Sequence, residues 1–285
     1  MTIVLTGVTI KQALSQAREM LKTNNIEDPE LEATVLLTHA MKIKRVQLYL
    51  ELDNQLSPDQ SEQFWSLIQR RLKGEPSAYI VGHREFYGLD FYVDSNVLIP
   101  RPETELLVEK ALEIARQRSL IAIADIGTGC GVIAVSLAVK LPETKIYATD
   151  ISPTALKVAA ANCQRQGVAN RVCLLEGDML DPLPEPVDLI IANLPYVSKA
   201  DLPKVNTHGF EPSLALNGGK DGLDKIRWLC TQVTEKLRPG GDLLLEIGQG
   251  QWESITSFLV SLFPSASIQV ISDLAGIERV VRVTP

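Results

Sequence analysis

The chain has no surplus of positive charge: 28 lysines and arginines face 35 acidic residues, leaving a net charge of −7. A protein-wide basic field for nucleic acid is therefore absent, although a local patch is still allowed. The four cysteines, Cys130, Cys163, Cys173 and Cys230, form no C-x-x-C pair and fall in segments that read as regular structure. That pattern points to reduced thiols in a cytosolic protein. The three histidines, His39, His83 and His208, are far apart, and no H-E-x-x-H or paired Cys/His spacing marks a metal site. No run approaches the roughly 18 apolar residues of a membrane helix. The opening MTIVLTGVTIKQ lacks a basic stretch followed by a long apolar one, so no signal peptide is expected. Repeats and low-complexity tracts are missing too. What remains is an ordinary globular composition, 45% hydrophobic and 22% charged over 285 residues. It suffices for one large domain, or one large and one small.

Residues 1–74 read as a small all-helical domain. Ala13, Leu14, Ala17, Met20 and Leu21 recur at helical spacing within Thr9 to Leu21. Asp28-Pro29 predicts an N-cap and first-turn proline for a helix over Glu30 to Ala40. Ser57-Pro58-Asp59-Gln60 predicts a capping box for a helix through Phe64, Trp65, Ile68 and Leu72 that stops at Gly74. Residues 75–100 read as a β-hairpin connector, aromatic and β-branched over Tyr79 to Pro100, with Gly88-Leu89-Asp90 as its turn. From residue 101 to 285 strands and helices alternate. A helix near Thr104 to Arg116 precedes apolar strands at Ile121 to Ile126, Lys145 to Asp150, Val172 to Glu176, Val187 to Ala192 and Asp242 to Glu246. Strands joined by helices imply a mostly parallel α/β sheet covered on both faces. Two further strands, Ser267 to Ser272 and Glu278 to Val283, are too close together for a helical crossover and predict a terminal antiparallel hairpin.

Asp125-Ile126-Gly127-Thr128-Gly129-Cys130-Gly131 follows the first of these strands and opens a helix over Val132 to Lys140. Glycines there let the backbone turn tightly and approach a ligand. Alone, such a loop is weak evidence, because dinucleotide sites use similar turns, though the spacing G-x-G-x-G differs from G-x-G-x-x-G; a purely structural turn is the lesser reading. Asp150, followed by Ile151, ends the second strand, where an acid can accept both hydroxyls of a ribose. Asp178 follows the third strand and can accept from an adenine amino group, with Met179 against the ring. Each acid by itself reads as a turn residue or helix cap. Together the three features lie at the carboxyl ends of consecutive strands, where open α/β sheets bind ligands. They predict a nucleoside-type cofactor.

Asn193-Leu194-Pro195-Tyr196 comes directly after the fourth strand. An amide nitrogen is a poor nucleophile, because its lone pair is delocalised into the carbonyl, and attack on a methyl donor leaves it positively charged. Two acceptors gripping its N–H bonds would stabilise that charge and orient the group. Asn193 offers a side-chain oxygen, Leu194 a carbonyl stiffened by Pro195, and Tyr196 a ring to stack on the flat amide. The simpler reading is a proline turn at the end of a strand.

With both motifs placed, the chain resembles the release-factor glutamine methyltransferases, the HemK/PrmC family. The resemblance spans nearly its whole length. Its most distinctive stretches are Gly82-His83-Arg84-Glu85-Phe86-Tyr87-Gly88, Leu98-Ile99-Pro100-Arg101-Pro102-Glu103-Thr104-Glu105, Phe210-Glu211-Pro212 and Ala215-Leu216. It implies a seven-stranded methyltransferase sheet behind a helical substrate-recognition domain, with S-adenosyl-L-methionine as cofactor. Cofactor contacts would come from Asp125, Gly127, Thr128, Gly129, Cys130, Gly131, Asp150, Ile151, Asp178, Met179 and Asn193. Asn193, Leu194, Pro195 and Tyr196 would grip the acceptor. That acceptor would be the glutamine of the Gly-Gly-Gln loop in class I peptide-chain release factors, methylated at N5 in the cytoplasm. No membrane and no direct nucleic-acid partner is implied. One departure stands out: the family's usual N-P-P-Y is N-L-P-Y here, the form common in rRNA adenosine dimethyltransferases.

An adenine N6-methyltransferase acting on rRNA or DNA is the competing reading, since adenine also presents a flat NH2. The acidic chain and a helical domain placed before the sheet argue against it. A silent cofactor-binding protein is a third, opposed by the intact Asn193, Pro195 and Tyr196. Lys42, Lys44, Arg45, Arg70, Arg71 and Lys73 read as solvated helix faces or as a docking surface. Arg101 and Glu103 read as a helix start or as the mouth of the cofactor site.

Overall fold

A computed structural model describes residues 7–285. Part of the opening segment read above for a leader, residues 1–6, lies outside the described residues. The chain divides into two compact units, one ending at Gly82 and one running from His83 to Pro285.

The first unit is helical: α1 (Ile10–Thr23), α2 (Pro29–Met41), α3 (Arg45–Leu50), α4 (Pro58–Leu72) and α5 (Ser77–Val81). Helix α4 starts at the expected capping box. Ser57 Oγ accepts from Gln60 N at 3.2 Å, and Gln60 Oε1 accepts from Ser57 N at 3.0 Å. Helix α1 has the same device in Thr9 and Gln12. Asp28 is different. Its backbone is left-handed, with φ 46°, and its side chain caps nothing. An N-cap needs extended backbone to bring its oxygen back onto the first-turn N–H groups, and the left-handed turn removes that reach. The apolar spacing builds one core from Ala13, Ala17 and Leu21 of α1, Leu36 and Leu37 of α2, and Phe64 and Ile68 of α4. Of the basic residues considered for docking, Arg70 and Arg71 are paired within this unit to Glu75 and Glu32. Two short helices, α3 and α5, were not anticipated. Helix α5 occupies the start of the stretch expected to form the hairpin.

The second unit opens with that hairpin, confined to β1 (His83–Phe86) and β2 (Leu89–Tyr92). Its turn is Tyr87-Gly88, one residue earlier than expected, and both residues have positive φ, 51° and 72°. A two-residue turn of this hand matches the twist of the strands it joins. Then follow α6 (Glu105–Gln117), β3 (Ala122–Ile126), α7 (Val132–Lys140), β4 (Lys145–Asp150), α8 (Pro153–Arg165), β5 (Val172–Glu176) and β6 (Val187–Ala192). The chain continues through α9 (Leu202–Val205), α10 (Asp224–Lys236), β7 (Leu237–Glu246), α11 (Trp252–Leu262), β8 (Ser267–Ser272) and β9 (Glu278–Thr284).

Seven strands form one sheet in the order β5-β4-β3-β6-β7-β9-β8. β3 to β7 pair in parallel, while β9 runs antiparallel to β7 and to β8. Every residue of β3 is buried, as are Leu189 to Ala192 of β6 and Asp242 to Glu246 of β7. Apart from Asp125, Asp242 and Glu246 these runs are apolar, as central strands covered on both faces require. β8 at the edge carries partly and fully exposed positions instead. The chain builds outward from β3 through β4 to β5, then returns to the other flank of β3 as β6. This reversal leaves a crevice at the carboxyl ends of β3 and β6, the place where such sheets take ligands. Among the described residues, no helix is long and apolar enough to cross a membrane.

Candidate active site

A cavity of about 270 Å³ opens at that crevice. Its floor is the glycine loop. Gly127, Gly129 and Gly131 all have positive φ, at 70°, 57° and 84°, so the loop turns three times in a hand that other residues resist. The Gly127 and Thr128 amides both donate to the Thr149 carbonyl at 2.9 Å, fastening the loop to the end of β4. Gly129 has open space where a Cβ would stand. Gly127, Thr128, Gly129 and Cys130 line the cavity; Asp125 and Gly131 do not. Gly131 instead caps α7 and lies against Ala159, whose Cβ would sit 3.3 Å from one added at Gly131.

Asp125 works from behind the loop. One carboxylate oxygen accepts from Thr128 Oγ1 at 2.6 Å and from Ala134 N at 3.1 Å, tying the loop to the first turn of α7. Its other oxygen is buried without a partner, and burial pushes the carboxyl up to about 6. Asn162 on α8 adds a brace from the far side. Its side-chain Nδ2 donates to the Cys130 carbonyl at 2.8 Å and to the Tyr92 carbonyl at 2.9 Å.

The two acids and the methionine expected at strand ends are distributed as the topology dictates. Asp150 and Ile151 line the cavity. Asp150 Oδ2 accepts from Gly129 N and Oδ1 from Ser152 N, both at 2.9 Å, which fixes the carboxylate plane. Burial raises this carboxyl above its ordinary range. Asp178 and Met179 line the same cavity. Asp178 Oδ2 accepts from Trp228 Nε1 at 2.9 Å. Met179 is buried in a left-handed turn, and its carbonyl accepts from Thr149 Oγ1.

On the opposite wall stand Asn193, Leu194 and Pro195. Asn193 Nδ2 donates to Thr104 Oγ1 at 2.8 Å, and Thr104 also lines the cavity. With Nδ2 committed, the amide oxygen is the end left for a ligand. The Leu194 side chain is buried against the glycine loop, and a Cβ on Gly127 would lie 2.9 Å from its Cδ2. A leucine at this place therefore packs the two loops together. Tyr196 is not on the cavity wall. Its hydroxyl donates to Glu246 Oε1 at 3.3 Å, and its carbonyl accepts from Gln251 Nε2 at 2.9 Å. The ring that was expected to be free for stacking is half-buried and anchored at both ends. Arg101 lines the mouth and pairs with Glu211 at 2.6 Å, whereas Glu103 is off the wall and lies 3.9 Å from Arg279.

Glu246, Thr104, Asn162, Gln251 and Trp228 were not singled out from the sequence. Glu246 left one trace, an acid closing the apolar run Leu243-Leu244-Leu245. It is 1% exposed and one of its oxygens has no partner. Burial, only partly offset by Thr104 and Tyr196, pushes it up to about 7; Glu103 nearby raises it and Arg279 lowers it. An acid raised in this way binds its proton more tightly folded than unfolded. Its contribution favours folding below the ordinary carboxyl range and is lost as pH rises towards 7. Glu246→Gln should therefore gain stability relative to the parent on going from pH 5 to pH 8, by on the order of 3 kcal/mol. Urea unfolding at the two pH values checks this; an equal difference at both would show that Glu246 is not a buried acid of raised pKa.

A seven-stranded α/β sheet in this strand order, with a glycine-turned loop and an acid at its crevice, has the fold of a class of methyltransferases. Known structures carry the same fold. A ribosomal protein L11 methylase from Lactobacillus delbrueckii subsp. bulgaricus superposes with TM-score 0.51 at 22% identity, covering 67% of this chain and 83% of that one. A methyltransferase from Pyrococcus furiosus gives 0.51 at 18%, covering 70% and 90%. Residues 12–82 match the PrmC N-terminal domain family and residues 102–210 the methyltransferase small domain family. The release factor glutamine methyltransferase of Moorella thermoacetica is 44% identical over 274 residues, 95% of this chain and 97% of that protein. That of Koribacter versatilis is 39% identical, over 96% and 98%. The chain belongs to the release factor glutamine methyltransferase family.

Proposed function

We propose that this protein transfers a methyl group from S-adenosyl-L-methionine to the side-chain nitrogen of the glutamine in the Gly-Gly-Gln loop of class I peptide-chain release factors, giving N5-methylglutamine. The observation that carries the reading is Asn193: its amide nitrogen is taken by Thr104, so its oxygen serves the cavity that the glycine loop floors.

The residues at the crevice fit the cofactor. Gly129 leaves room where a side chain would stand, and Asp150 is held edge-on by two backbone amides beside it. Asp150 would take the ribose hydroxyls. Asp178, steadied by Trp228, would take the adenine amino group, with Met179 and Ile151 against the ring. When bound, the cofactor supplies an electrophilic methyl on a sulfonium sulfur. Asn193 Oδ1 and the Leu194 carbonyl accept the two N–H bonds of the substrate carboxamide. They hold its nitrogen towards the methyl and stabilise the positive charge it acquires on bonding to carbon. The extra proton can leave to water afterwards, so no general base is required. Pro195 stiffens the loop; Tyr196, anchored to Glu246 and Gln251, fixes where the loop ends. The helical unit takes the role of selecting the release factor, and the enzyme works in the cytoplasm where that factor is made.

The test is transfer of labelled methyl groups to purified release factor with the loop glutamine intact or replaced by alanine. Label is expected on the intact factor only. Label on rRNA or DNA with none on the factor would move the assignment to an adenine N6-methyltransferase.

A further inference from the structure

After the catalytic loop, Asn193 to Tyr196, the chain makes a long excursion over residues 197–217 before α10 begins. Its two ends are held together. Val197 N donates to the Leu216 carbonyl at 3.0 Å, and Gly218 N donates to the Val197 carbonyl at 2.9 Å. Its middle is tied elsewhere, by Glu211 of the Phe210-Glu211-Pro212 motif. Glu211 Oε1 accepts from Ile99 N at 3.1 Å, and Oε2 accepts from the Arg101 guanidinium at 2.6 Å. The Glu211 carbonyl accepts from Asn206 Nδ2 at 2.7 Å, which gathers the end of α9 to the same point. The Glu211 side chain is only 10% exposed, so water competes little for its bonds.

These ties join two sides of the cavity mouth. Leu98, Pro100 and Arg101 line one side, and Pro212, Leu214 and Ala215 line the other. They also complete a ring. Thr104 N donates to the Arg101 carbonyl at 3.2 Å, and Thr104 Oγ1 accepts from Asn193 Nδ2. The chain thus runs from Asn193 through Val197 to Glu211, and Glu211 leads back through Arg101 and Thr104 to Asn193. We infer that Glu211 is a positioning residue for the protein acceptor: it clasps the excursion to the Ile99–Arg101 segment and holds the cavity mouth in the shape that the acceptor loop enters. The proposal rests on the reading that the Asn193 side of the cavity takes the substrate carboxamide. The residue type fits the task. Ile99 N and the Arg101 guanidinium both donate, and only a carboxylate accepts at both ends; a glutamine of the same shape would set its NH2 against one of them. With the clasp open, the excursion must be ordered when the acceptor binds, which weakens binding and leaves the transfer step alone.

Glu211→Ala is expected to raise KM for release factor about 10–100-fold and Glu211→Gln about tenfold, with kcat within about threefold of the parent in both. A role in packing alone would leave the isosteric Glu211→Gln unchanged. Cofactor Kd by calorimetry should stay within about threefold, because Asp150 and Asp178 are held by bonds that do not involve the excursion. An independent readout needs no acceptor. Lys199 and Lys204 are exposed on the excursion, and trypsin should cut after them faster in both variants than in the parent. A parental KM in Glu211→Gln, or a loss that falls on kcat instead of KM, would overturn the proposal. So would equal cutting of all three proteins. A cofactor Kd that rises as far as KM would place the excursion over the cofactor and overturn it too. A parent that labels no release factor would instead sink the substrate assignment, while the trypsin comparison would still decide whether Glu211 holds the excursion.

Discussion

Asn193→Ala should lower kcat for release-factor methylation by about 100–1000-fold, the loss seen when one group aimed at developing charge is removed. The cofactor Kd should rise by less than about tenfold. The asymmetry follows from the walls of the cavity. Gly127, Gly129, Asp150, Asp178 and Met179 stand on the β3–β5 side and would hold the cofactor without help. Asn193 stands on the β6 side, its nitrogen already spent on Thr104, and has one oxygen to offer. That oxygen matters most when the acceptor nitrogen turns positive, so its loss falls on turnover rather than on ground-state binding. Single-turnover methyl transfer together with equilibrium cofactor titration separates the two effects. A Kd that rises as much as kcat falls would make Asn193 a cofactor ligand and leave the acceptor without its grip.

Gly222→Ala should destabilise the second unit by about 3–5 kcal/mol, the range reached only by a clash or strain that the structure cannot relieve. A Cβ at this position would lie 2.2 Å from the Tyr196 carbonyl oxygen and 2.4 Å from Gln251 Nε2, on a backbone with φ +85°. The first of those atoms is backbone and cannot swing aside. It is also the oxygen to which Gln251 donates, so displacing it unpicks the anchor at the end of the catalytic loop. Gly250→Ala is the control. It has a similar φ, +79°, with no heavy atom within 4 Å of the added carbon. Only the left-handed strain of about 1–2 kcal/mol should appear there. Thermal unfolding of the two variants decides the point: equal losses of Tm would show that close packing behind the loop contributes nothing.

The positions of several elements were open to reading because each rests on a local cause. β4, β5, β6 and β8 begin and end where their apolar or β-branched runs do, and α7 spans the expected Val132–Lys140. Ser57 and Gln60 cap α4 because the two side chains and the amides they satisfy lie within one turn. Asp28 shows where such reading stops. Its residue type suits a cap, but the loop before α2 sets its φ, and that is not a property of the dipeptide. Helix α5 was hidden in the same way, since Tyr79, Ile80 and Val81 favour strands in general but here Ile80 and Val81 are buried in the helical core.

Within the site, the sequence alone determined the chemistry available at each strand end: a glycine loop, acids after β4 and β5, and an amide followed by proline after β6. These are contiguous motifs, and the alternation of strands and helices delivers them to the same edge of a parallel sheet. Only the tertiary structure decided what stands behind them. Thr104 reaches Asn193 across 89 residues of chain, Trp228 reaches Asp178 across 50, and Asn162 reaches the Cys130 carbonyl across 32. Such pairs depend on strand order and on where β7 lies against β6. Hydrophobic periodicity carries a residue's face and element but says nothing of its neighbours in space, so the groups that orient the motifs became visible only once the sheet was assembled.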